Sequence, residues 1–285
     1  MIEHRNGRKF VRQYDNLYEI VGHLRDTARS WSQNESVRAP AYKGWDDGVG
    51  YEGALRLAAE GWPDGVRQIQ ALAQLVPTGQ LPTRSYDVAG DYPDVSRALG
   101  GDPRNMVRRG KTNAPRPTVT IAVNVCVNGM VDGAMKMNYG AALTGLVDRL
   151  ESKGVRVELL CTDAAIQQGG LHMISTAWTV KRAQDTLDLS AIAFSVAHPA
   201  MARRLCFAMY EHCPTDLEMF GYGAPVRALL PEHFIDLPED TLYLAGTHGA
   251  PHECRTLEGA VRLVELQINT AAGENIAMLE ALEAA

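Results

Sequence analysis

The chain has 285 residues, 46% of them hydrophobic, which excludes a disordered polar chain, and a formal net charge of -6, which does not give it the look of a dedicated nucleic-acid binder. The charge is uneven: residues 1–112 carry 16 Lys and Arg against 14 Asp and Glu, and the remainder carries 12 against 20. No apolar run approaches the roughly 20 residues needed to span a bilayer. The N-terminus MIEHRNGRKF lacks the apolar core of a signal peptide, so a cytoplasmic setting is expected. Five cysteines, Cys126, Cys161, Cys206, Cys213 and Cys254, are odd in number and form no CxxC pair, which points to reduced thiols.

Helical spacing of Leu17, Tyr18, Ile20, Val21 and Leu24 predicts a first helix over residues 14–26. A Gly/Pro-punctuated stretch over 30–50 follows, with Trp31, Tyr42 and Trp45 as isolated anchors. Residues 51–76 then read as a helical pair broken at GWPDG, the second helix carrying Val66, Ile69, Leu72 and Leu75 in a stripe. A short strand at 85–89 and a short helix at 93–101 lead into the basic connector DPRNMVRRGKTNAPRP. This connector divides a mainly helical N-terminal domain, 1–112, from an α/β domain, 117–285. Arg104, Arg108, Arg109 and Lys111 within it are candidate phosphate contacts, although no aromatic platform accompanies them.

Beyond Pro117, TVTIAVNVCVNGM reads as a buried strand ending in a polar turn. Tyr139, Leu143, Leu146, Val147 and Leu150 mark a helix that Lys153-Gly154 closes, and a second strand runs over 155–161. Strand, helix and strand form a right-handed parallel crossover by default. A third strand puts His172, Ile174, Thr176, Trp178 and Val180 on one face; with no helix before it, it pairs antiparallel at one edge. The helical stretch from Asp188 bends near Pro199, DTLYLAG is a fourth strand, and LEGAVRLVELQINTA closes the chain as a helix. The fold class is therefore α/β: a helical N-terminal domain plus a small Rossmann-like, mostly parallel sheet with one antiparallel edge strand.

Ligands and metals collect at the carboxyl ends of such strands, which singles out Asn124, Cys126, Asn128, Thr247 and His248 as a binding surface. The order of elements over 118–270 resembles a von Willebrand factor A-type domain. In that family the first strand ends in Asp-x-Ser-x-Ser and holds a divalent cation; the matching positions here are Asn124, Cys126 and Asn128. Neutral amide and sulfur suit a hard cation poorly, so the resemblance implies a metal-free domain. The chain also resembles uncharacterised proteins of tailed bacteriophages in the element Ala59-Glu60-Gly61-Trp62-Pro63-Asp64-Gly65, in Asp87-Val88-Ala89-Gly90, and in the helix AHPAMARRLCFAMYE. That likeness implies a phage setting, host cytoplasm or virion.

Two other chemistries compete. His248, His252 and Cys254 offer imidazole and thiolate ligands suited to zinc, without a standard spacing. Cys126 with His248 and Asp163 offers a nucleophile, base and carboxylate at neighbouring strand ends, as a hydrolase or transferase needs. Gly129, Gly133 and Gly140 fit neither the dinucleotide fingerprint nor the P-loop, and no cofactor is called for. The leading expectation is a non-enzymatic protein–protein interaction or assembly protein, with self-association an option and no membrane partner; the alternatives are the hydrolase or transferase, or a nucleic-acid-binding phage accessory protein that uses Arg104, Arg108, Arg109 and Lys111.

Overall fold

A seven-stranded sheet organises the chain. The computed structural model describes residues 1–75, 85–88, 92–93, 103–108, 117–167 and 169–273. Strands β1 (Ile2–Asn6), β2 (Lys9–Tyr14), β6 (Thr118–Asn124), β7 (Arg156–Ile166), β8 (Met173–Lys181) and β10 (Leu242–Leu244) lie in the order β1-β2-β8-β7-β6-β10. The two-residue strand β9 (Ala224–Pro225) pairs beside the end of β7. Among the described residues 85–108, β3 (Ser85–Asp87), β4 (Tyr92–Pro93) and β5 (Met106–Arg108) form a separate small sheet. The short helix expected at 93–101 falls outside the described residues, apart from Pro93 in β4.

The parallel pair β6 and β7 is joined by helix α6 (Gly133–Ser152), whose N-cap Asp132 accepts the Met135 N–H at 2.9 Å. Its buried residues Tyr139, Leu143, Leu146 and Val147 meet Val119, Ile121 and Val123 of β6. The odd-numbered residues of β6 therefore face the helices, and Ala122 faces the other way. β10 adds parallel to β6, and β7 and β8 pair antiparallel, as the third strand's reading required.

β8 is not an edge, however. The parallel strand β2 lies along its free side, and β1 closes that side of the sheet. The hairpin of β1 and β2 turns through Gly7 and Arg8, with Gly7 at φ +59°, a value glycine adopts without steric cost. Buried Arg12 fixes the hairpin: its guanidinium donates to the Met209 and His212 carbonyls at 3.1 and 3.3 Å and pairs with Glu3 at 2.7 Å.

Packing crosses the boundary expected at 112–117. β2 belongs to the main sheet, and helices α1 (Leu17–Asp26) and α4 (Gly50–Glu60) share one apolar cluster with β6, α6 and β7. α1 starts at an Asn16 side chain that accepts the Glu19 N–H at 3.0 Å. Helix α5 (Pro63–Ala73) buries Ile69 and half-buries Val66 and Leu72, but the expected stripe stops short of Leu75, which is 71% exposed.

The stretch 189–211 bends where expected: His198 adopts ψ 127°, and its Nδ1 accepts the Ala200 N–H at 3.0 Å. Trp62 packs edge-on against that imidazole at 4.4 Å between centroids. A side chain at Gly65 would enter the Trp62 ring, and one at Gly61 would meet Ser190 Oγ at 2.4 Å. The GW element and the AHP element of the sequence are thus packing partners. Helix α9 (Leu257–Gly273) lies on the same face of the sheet as α6.

The opposite face carries no long helix among the described residues. Ala122, Leu160, Ala164 and Ala177 are covered by Val226, Leu229 and Phe234, from the irregular strap 224–237. Small sheet residues let this strap lie close. Ser175 Oγ donates to the His233 carbonyl at 2.7 Å, and the Ile235 N–H donates to Gln13 Oε1 at 3.0 Å.

Candidate functional site

The end of β6 is built to serve the backbone. Asn124 is 2% exposed, and its Oδ1 accepts the N–H groups of Cys126 at 3.0 Å and Ala164 at 3.3 Å, tying the strand end to β7. Asn128 Oδ1 accepts the Met130 N–H at 2.9 Å and closes the following turn. After β10, Gly246 at φ +70° passes so close that a Cβ would lie 1.9 Å from the Asn124 carbonyl oxygen. Only glycine permits that approach.

Of the expected binding surface, Asn124, Cys126 and Thr247 are buried, while Asn128 and His248 are half-buried. The polar row legible in sequence is therefore largely an interior feature, with Asn124 spent in joining strand ends and Asn128 in closing its turn.

A buried cluster of titratable groups lies beneath. The Tyr210 hydroxyl donates to Asp163 Oδ1, and the thiols of Cys126 and Cys206 lie against the same carboxyl, whose Oδ2 has no partner of normal hydrogen-bond geometry. Lys136 is 1% exposed, with its ammonium 3.4 Å from the Val125 carbonyl. Burial, and then the neighbouring Arg203 charge, bring its pKa down to about 8. Burial raises the Asp163 carboxyl against the pull of its hydrogen bonds; burial, and then Asp163 itself, push both thiols well up.

Cys126 and Asp163 are thus together, but the combination keeps sulfur protonated, and a thiol nucleophile needs the opposite. Among the described residues, no hydrogen bond or resolved electrostatic interaction joins His248 to either. Burial alone lowers the pKa of His248, and its Nδ1 has no hydrogen-bond partner among the described residues. The alternative metal set is also not assembled. Cys254 is buried with its thiol pushed up to about 11 by burial, His252 is exposed, and the described residues contain no group of three or more His, Cys, Asp or Glu placed to hold a metal ion.

What seals this end of the sheet is the segment that sequence showed only as a packed loop. Arg204 is 1% exposed and Asp46 is fully buried; they pair at 2.6 Å, and the same guanidinium donates to the carbonyls of Ser36, Ala39 and Pro40 at 2.8 to 3.0 Å. Arg203 donates to the carbonyls of Trp45 at 2.6 Å and Asn128 at 3.1 Å, with its guanidinium 4.3 Å from the Trp45 ring centre. Buried Glu211 accepts from Ser36 and Arg29. Trp31 is buried as expected, whereas Tyr42 stands 68% exposed.

The face under the strap is different. A groove of 740 Å³ opens between the strap and α9, along β10 at the edge of the sheet. Leu242, Tyr243 and Leu263 line it, and Leu230 and Leu266, 46% and 63% exposed, stand at its lip. No sequence motif marked this groove; the available signal was an apolar three-residue strand ending the sheet order. Of the basic connector, Arg104 is exposed, Arg108 lies in β5, and Arg109 and Lys111 fall outside the described residues.

A family described as a domain of unknown function (DUF7192) matches residues 3–267, and the chain belongs to that family. The match runs from the N-terminal hairpin into α9, across the connector. No curated protein and no solved structure matches the chain.

Proposed function

We propose that this chain is a non-enzymatic protein-binding module that receives an extended segment of a partner along β10. The carrying observation is the open groove at that edge: β10 pairs with β6 on one side, and its other side faces the 740 Å³ space beneath Leu230 and Leu266. An edge strand offers unpaired backbone groups to a partner strand, and the flanking groove supplies apolar contacts for alternate side chains. The sealed, protonated cluster at the other strand ends supports a binding role over acyl-transfer chemistry.

The finer fold in this proposal is a von Willebrand factor A-like sheet, metal-free at its first strand. It is supported by the parallel run β7-β6-β10 with antiparallel β8 beside it, and by neutral Asn124, Cys126 and Asn128 at the signature positions. The setting proposed is the host cytoplasm or virion of a bacteriophage, on the resemblance carried by the GW, DVAG and AHP elements. Among the described residues no helix is long and apolar enough to cross a membrane.

Panning a random peptide display library on the purified chain tests the proposal. Enriched sequences are expected to alternate apolar residues and to lose binding to a Leu266→Arg variant. Failure to enrich any peptide, or hits that bind Leu266→Arg equally well, would refute it. If sedimentation shows a dimer that Leu266→Arg dissolves, the occupant is a second copy instead.

A further inference from the structure

The strap has a second flank. On the side away from β10, at the tip of the N-terminal hairpin, lies a cleft of 450 Å³ whose walls include Ile166, Leu171, Met173 and Val226. Its polar members are Asn6, Arg8, Lys9, Glu232 and His233. Arg8 sits in the two-residue turn, and among the described residues its guanidinium has no hydrogen bond or ion pair. Lys9 pairs with Glu232 at 2.7 Å. The rim therefore holds two cations and one carboxylate, an excess of one positive charge.

His233 adds a directed donor. The residue is 3% exposed, and its Nδ1 lies 2.9 Å from the Leu230 backbone nitrogen. A backbone N–H can only donate, so Nδ1 presents its lone pair and the ring proton of the neutral imidazole must be on Nε2. That Nε2–H has no hydrogen-bond partner among the described residues and is not among the buried, unsatisfied atoms, so it keeps some access to solvent, and His233 is one of the residues that line the cleft. The cleft is thus lined both by a buried ring with an uncommitted N–H and by the guanidinium-bearing Arg8.

We infer that this cleft binds a small organic carboxylate, one oxygen on His233 Nε2–H, the head paired with Arg8, and a short aliphatic body against Leu171 and Val226. One neutral donor and one planar fork suit the two oxygens of a carboxylate. Glu232 on the rim disfavours a dianion such as phosphate. The volume falls in the range of small-molecule sites. This inference is independent of the β10 groove, which lies on the other side of the strap.

The test is a titration of the full chain, carrying ¹⁵N-labelled histidine, with butyrate and separately with inorganic phosphate. Long-range ¹H–¹⁵N spectra are expected to show His233 as the Nε2–H tautomer, and butyrate is expected to shift its Nε2 resonance saturably. Arg8→Ala is expected to weaken butyrate binding about tenfold. Arg5→Ala, on the same hairpin but paired with Asp216, is expected to bind as the unmodified chain does. Both positions are exposed, so neither variant threatens folding. An unmoved His233 resonance, equal butyrate affinity in Arg8→Ala, or tighter binding of phosphate than of butyrate would each overturn the inference.

Discussion

The two sides of this sheet handle exposure in opposite ways. At the strand ends, Asn124, Cys126 and Asp163 look like chemistry in sequence but are closed off by arginines that reach from 203–204 to Asp46 and the backbone of 36–45. On the far face an irregular strap buries the small residues beneath it and leaves grooves on both flanks. Polar identity therefore marks where the chain needed internal hydrogen bonds, and accessible volume marks where a partner can enter. Breaking the seal and blocking the groove should have separable effects.

The largest effect is expected at the Arg204–Asp46 pair. Asp46→Ala leaves a buried guanidinium without its counter-ion and is expected to cost about 3–5 kcal/mol, measured by urea unfolding. A loss under about 1 kcal/mol would show that the seal does not depend on this pair. The pair also sets an acid limit. Burial alone would raise the Asp46 carboxyl, but hydrogen bonds from the Tyr42 N–H and Arg204 hold its pKa below the usual value. A depressed folded-state pKa contributes stability above the unfolded value and loses it as pH falls through the folded one. Stability should thus drop below about pH 4, and Asp46→Asn should lose this component.

Lys136→Met should act with the opposite sign. The folded-state amine titrates at about 8 against an ordinary value of 10.5, so charged Lys136 opposes folding at neutral pH. Because the unfolded chain binds the extra proton between those values, stability rises with pH across that window. Removing the amine should stabilise the chain at pH 7 by up to about 3 kcal/mol, a gain that shrinks toward pH 10.5 in pH-resolved denaturation. A destabilised Lys136→Met would mean that the amine's contact with the Val125 carbonyl outweighs its desolvation.

Gly65→Ala comes next. A new methyl group there overlaps the Trp62 ring and forces it off His198, at a cost of about 1–3 kcal/mol. Thermal unfolding reads the loss. An unchanged midpoint would show that Trp62 can turn away without its imidazole contact.

Much of the sheet was legible because its signals are local. Val119 to Asn124 announce β6 by a near-continuous apolar run, Lys153-Gly154 closes α6, although its first turn before Asn138 was not read, and Pro199 fixes the bend at His198. The N-terminal hairpin was missed although Gly7 at the first position of a two-residue turn is a hairpin signal. Arg12 disguised it, since a charged residue reads as exposed until its partners at Met209 and His212 are known. The seal was invisible for the same reason: Arg203, Arg204 and Glu211 lie about 160 to 180 positions from the loop they hold, and spacing says nothing of such pairings. The candidate triad was half legible, as Cys126 and Asp163 do meet, but burial reverses the chemistry their proximity suggested.

The smallest effect on folding is expected where the proposed effect on binding is greatest. Leu266 is 63% exposed on α9, so exchanging it for arginine removes little buried surface and should change unfolding free energy by no more than about 0.5 kcal/mol. The same change puts a charged side chain at the lip of the groove beside β10, where an incoming strand would have to desolvate it. Peptide or partner affinity should therefore fall sharply while urea and thermal profiles overlay those of the unmodified chain. A Leu266→Arg variant that loses stability and binding together would tie the groove to the core. Intact stability with intact binding would move the partner surface away from β10.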